Sequence, residues 1–175
     1  MSSNKEEKVN QLALRFGRTL EMSGVSMQKS ALKAEPDIID RYIMAKLLDD
    51  YGIKERQSLY DQNYYLLSLA EWKRFIKHDW VDLREYLVDK FDCDNFAYLF
   101  AARAALLLGV NSAGVAGGLM KKATGSIGHA YTIIVTKEKK VYAMETQTDV
   151  MTEIQKGRPT IISGIEYTIN WVTLF

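Results

Sequence analysis

A chain of 175 residues with 47% hydrophobic and 26% charged side chains can bury one core of ordinary domain size, which excludes a disordered protein. Lys and Arg number 23 against 22 Asp and Glu, and the formal charge of +1 gives no electrostatic case for a nucleic-acid or anionic-membrane partner. A single cysteine, Cys93, excludes an intrachain disulfide and a Cys-rich zinc site, and two histidines, His78 and His129, argue against a His-based metal cage.

Residues 5–22 carry Val9, Leu12, Leu14, Phe16 and Leu20 as an imperfect helical stripe ended by Ser23-Gly24. Asp37, after Pro36, is placed to cap a helix running to Tyr51, with Gly52 as its stop. Ser68-Leu69-Ala70-Glu71 has the form of a capping box and opens a helix to about Lys77. Leu83 to Leu87 predicts a short turn. Asp92 to Leu108 is the clearest helix, apolar on nearly every face, interrupted only by Arg103 and ended at Gly109. A helix of that kind belongs inside a fold.

Near residue 110 the pattern changes to alternation and short β-branched runs. Val115–Met120 is a weak strand because of Gly117-Gly118. His129–Thr136 and Val141–Thr146 predict a hairpin joined by the polar Lys137–Lys140 turn, and Thr160–Ile162 and Ile165–Leu174 complete the strands. Helices followed by an antiparallel sheet predict an α+β fold, its helices packed on one side. The expected division is an N-terminal helical extension over 1–55 and a domain over 56–175.

Cys93 stands at the predicted first turn of the enclosed helix, where unpaired amides and the helix dipole favour a thiolate. Asp92 and Asp94 oppose that effect, so a nucleophilic Cys93 needs an imidazolium nearby. His129, opening a strand after Gly128, is the candidate base. Side chains alternate along strands, so His129 and Glu145 share a face only if the hairpin loop holds an odd number of residues. That register sets His129 opposite Gln147 and diagonal to Glu145, roughly 7–8 Å away and within reach of long side chains. The set then has the layout of a nucleophile, a base and a group that orients the base.

These residues resemble the motifs of the papain-like/transglutaminase-like cysteine peptidase superfamily. The closer likeness is to the bacterial transglutaminase-like cysteine peptidases and the peptidase domain of Marasmius oreades agglutinin. The matching runs are Asp92-Cys93-Asp94-Asn95-Phe96-Ala97, Gly128-His129-Ala130-Tyr131 and Glu145-Thr146-Gln147, with Thr146 where the agglutinin-like members carry proline. The resemblance covers about residues 60–175. It implies a papain-like fold and a catalytic Cys93, His129 and Glu145, with the Cys93 amide as first oxyanion donor. Gln147, Gln62 and Tyr86 are candidates for binding or orienting substrate, and Asn63 is a further candidate for the second oxyanion donor.

The expected function is a thiol-dependent peptidase or amidase acting on a peptide, protein or peptidoglycan, with transamidation if an amine replaces water. The alternative is a catalytically inactive papain-like fold serving as a structural or binding component of a larger assembly such as a phage particle. No cofactor is expected; calcium is the one metal considered, through Asp89, Asp92 and Asp94, whose spacing does not match an EF-hand loop. No apolar run approaches the ~18–20 residues of a membrane span, and residues 1–8 lack the layout of a secretory leader, so a cytoplasmic or virion setting is expected.

Overall fold

A computed structural model describes residues 34–53 and 57–175. The stripe over 5–22 lies outside them. The segment expected as one helix after Asp37 divides: strand β1 (Asp37–Asp40) precedes helix α1 (Arg41–Asp50). Two adjacent β-branched residues favour strand there, with Ile39 buried and Ile38 exposed. Asp40, not Asp37, is the cap, and its carboxylate accepts from the Ile43 amide at 2.8 Å.

Strand β2 (Gln57–Leu59) and strand β3 (Asn63–Leu66) follow, and β3 pairs antiparallel with β1 as a two-stranded sheet. Helix α2 (Leu69–His78) begins with the reciprocal Ser68–Glu71 capping box. A 3-10 turn occupies Val81–Leu83. Helix α3 (Cys93–Leu108) buries Phe96, Ala97, Phe100, Ala101, Arg103, Ala104 and Leu107, and Gly109 ends it in the left-handed region at φ +67°. The buried Arg103 has Asp79 and Trp80 among its partners. Its Nε lies 2.6 Å from Asp79, and its guanidinium sits 4.2 Å over the Trp80 ring.

The remaining strands are β4 (Ala113–Lys122), β5 (Gly125–Val135), β6 (Val141–Glu145), β7 (Val150–Glu153), β8 (Thr160–Ile162), β9 (Ile165–Tyr167) and β10 (Trp171–Leu174). The main sheet has the order β2-β10-β4-β5-β6-β7, with β9 pairing β4 and β8. Its one parallel pair among the described strands is β2 with β10. The β5–β6 register joins Thr132 to Met144 and Val135 to Val141, so His129 and Glu145 do share a face.

The two faces of β5 bury different things. Tyr131, Ile133 and Val135 join Met44, Leu48, Tyr64 and Leu66 in one large core. On the other face Ala130 and Val115 pack against Ala97 of α3, with Cys93, Trp171 and Phe175 at the border. Small side chains there let the helix lie close on the sheet.

The expectation of helices first and a sheet last is corrected. Among the described residues the fold is mostly β, with ten strands to three α-helices, and three of those strands precede α2. Strands of three or four residues carry too little periodicity to be read from sequence, and β2 acquires its partner more than a hundred positions away.

Candidate functional site

The hairpin register brings two of the predicted residues into direct contact. His129 Nε2 lies 2.6 Å from Glu145 Oε2, with side chains 9% and 13% exposed. The same carboxylate oxygen accepts from the Tyr167 hydroxyl at 3.2 Å, and Glu145 Oε1 accepts from the Gln147 amide at 3.4 Å. His129 also stacks on Tyr131, ring centres 6.4 Å apart, and Tyr131 donates to the Thr168 carbonyl at 2.9 Å. Burial, then the Glu145 charge, holds the Tyr167 hydroxyl well above the ordinary phenol range, so Tyr167 is a donor here. The network ties β5, β6 and β9 together through polar atoms that would otherwise be buried without partners.

Cys93 is placed differently. It is half-buried at the first position of α3 and packs against the Ala97–Val115–Ala130 cluster. Ala130 and His129 are adjacent strand residues, so their side chains leave β5 on opposite faces. Among the described residues no hydrogen bond joins Cys93 to His129. The immediate surroundings of Cys93 are acidic and aromatic. Asp92 hydrogen-bonds Asp94 and raises its pKa, with burial adding to the effect. Tyr86 stacks on Phe96 at 6.3 Å, and its hydroxyl is raised by partial burial and then by the neighbouring Cys93, Asp92, Asp89 and Asp94.

The three aspartates considered for calcium serve the helix start. Asp92 Oδ2 accepts from the Asp89 amide at 3.2 Å, and Asp94 Oδ1 accepts from the Asn95 amide at 2.9 Å. Asn95 Oδ1 in turn accepts from the Asp92 amide at 3.1 Å. No group of three or more ligating side chains able to hold a metal occurs among the described residues.

Gln62 lies elsewhere. It lines an open cleft of about 540 Å³ with Asp40, Arg41, Tyr42, Ala45 and Leu59, which includes none of Cys93, His129 and Glu145. Arg41 and Tyr42, which the sequence pattern set inside a helix capped by Asp37, line this cleft beside the actual cap Asp40.

No family model matches the chain, and no curated protein matches it. Solved structures do. A complex of PSL1a with E64 superposes with a TM-score of 0.58 at 18% identity, covering 78% of this chain and 51% of that one. Polyporus squamosus lectin bound to the human-type influenza-binding epitope Neu5Acα2-6Galβ1-4GlcNAc gives 0.56 at 17% identity, covering 80% and 49%. The likeness is one of fold. This chain spans about half the length of both of these solved chains.

These neighbours correct the expectations built on the three short motifs. One neighbour is a PSL1a complex and the other a Polyporus squamosus lectin structure, and they correct the expected cysteine-peptidase family, papain-like fold and thiol-hydrolase function. His129 and Glu145 pair on one face of β5, while Cys93 packs with the Ala97–Val115–Ala130 cluster. No helix among the described residues is long and apolar enough to cross a membrane.

Proposed function

We propose that the chain is a non-catalytic binding module whose ligand is carbohydrate. The observation that carries this reading is the fold shared with Polyporus squamosus lectin over about four fifths of the chain. The surface is compatible with it. Sugars are held by aromatic rings against their C–H faces and by planar polar side chains at their hydroxyls, and Tyr42, Tyr60, Trp80 and Tyr86 are all exposed. In this reading the His129–Glu145–Tyr167 network is a brace between strands, and Cys93 is a helix-start thiol.

The test is retention of the full chain on a panel of immobilised glycans that includes Neu5Acα2-6Galβ1-4GlcNAc and neutral saccharides. Saturable binding to at least one saccharide, competed by the same free sugar, is expected. Peptide-library incubation and exposure to E64 are the controls, expected to leave the peptides intact and Cys93 without an adduct. Failure to retain any glycan, or cleavage of peptides, overturns the reading.

A further inference from the structure

The cleft lined by Asp40, Arg41, Tyr42, Ala45, Leu59 and Gln62 lies within the size range of small-ligand sites at about 540 Å³. Its polar groups are unusually well fixed. Arg41 Nε donates to the Asp61 carbonyl at 2.8 Å and Arg41 Nη2 to the Tyr60 carbonyl at 2.9 Å, while the Arg41 amide donates to the Gln62 carbonyl at 2.8 Å. Two bonds to backbone set the plane of the guanidinium before any ligand arrives, and among the described residues its Nη1 has no hydrogen-bond partner. Asp40 uses one oxygen as the helix cap, which fixes that carboxylate too and leaves it further acceptor capacity.

The chemistry of the lining narrows the ligand. Asp40 only accepts, Arg41 only donates, and the Gln62 amide does both. The two opposite charges stand on adjacent residues, so the cleft has no net preference for an ion. A hydroxyl matches this arrangement because it donates to the carboxylate and accepts from the guanidinium. Beside these groups Tyr42 is 79% exposed and free to present its ring to an apolar face. We infer that this cleft binds a neutral pyranose, with adjacent hydroxyls on Asp40, Arg41 and Gln62 and the C–H face of the ring on Tyr42. The inference rests on the carbohydrate reading above and assigns it a place and a ligand class.

The experiment titrates the full chain with methyl glycosides of neutral hexoses and with the sialylated trisaccharide, following amide chemical shifts. The variants are Tyr42→Ala, which removes an exposed ring, and Asp40→Asn, which keeps a capping oxygen while removing the charge. Gln62→Ala is the third. Neutral glycosides should shift amides of residues 40–45 and 59–62, and Tyr42→Ala and Asp40→Asn should each weaken binding about tenfold, the loss of one anchoring contact. Saccharide binding that all three variants leave unchanged overturns the placement while the carbohydrate reading stands. Binding of the acidic trisaccharide alone, weakened by the same variants, overturns the neutral class. Absence of binding to any saccharide in either experiment overturns the carbohydrate reading and this inference with it.

Discussion

His129 Nε2 and Glu145 Oε2 lie 2.6 Å apart across the β5–β6 hairpin, and that contact exists because five loop residues separate Val135 from its partner Val141. An even loop would put the two side chains on opposite faces. The bond is largely shielded from water, and Tyr167 shares its acceptor. Glu145→Ala therefore leaves two buried groups without a partner and should cost about 2–3 kcal/mol. Glu145→Gln should cost clearly less. Urea denaturation of the two variants checks this, and equal small losses contradict the brace.

Asp149 predicts how stability depends on pH. It sits between β6 and β7 with φ +57°, and burial pushes its pKa up to about 7, with repulsion from Asp82 and Asp79 adding. In the unfolded chain an aspartate titrates near 3.9. Between those values the native state holds the extra proton, so stability falls as pH rises from about 4 to about 7. Asp149→Asn removes the penalty, and asparagine tolerates the positive φ. At pH 8 the variant should be more stable by about 1–2 kcal/mol, a discounted figure because the carboxyl is partly solvated. Near pH 4 the two should melt alike. A wild-type advantage at pH 8 contradicts the account.

Asp79 and Arg103 give a sharper prediction for the interior. Their side chains are 2% and 9% exposed at 2.6 Å, and Arg103 also covers Trp80. Asp79→Ala removes a closely held carboxylate from a buried guanidinium and should cost about 3–5 kcal/mol. A loss below 1 kcal/mol in denaturant titration would contradict a stabilising role for the Asp79–Arg103 pair.

Gly118 carries a steric prediction. A Cβ added there would overlap the Thr168 carbonyl, and Thr168 is bonded to Leu119 through both its amide and its hydroxyl. Gly118→Ala should destabilise by about 1–3 kcal/mol, while Gly128→Ala, which meets open space, should change little. Thermal melts of the pair compare them directly.

The same glycines show where sequence reading ran out. Gly117-Gly118 made Val115–Met120 look like a poor strand, yet β4 runs ten residues because Trp171 and Thr168 crowd those positions. Glycine there records close approach, which only the neighbouring chain reveals. Helix α3 and the β5–β6 register were legible, since an Ala/Leu run ended by Gly109 and a strict alternation are local patterns. β1, β2 and β3 were not legible, because each is short and pairs with a distant segment. At the site, alternation correctly joined His129 to Glu145. It could not say on which side of β5 the Cys93 helix would lie, and the function inferred from the motifs depended on that.

The most direct test is the alkylation rate of Cys93 by iodoacetamide in the native protein, compared with free cysteine and with His129→Ala, read by mass spectrometry. A binding module with Cys93 and His129 on separate sides of β5 predicts a rate no faster than free cysteine and unchanged in the variant. Accelerated labelling that collapses in His129→Ala would show the two groups acting together and contradict the account.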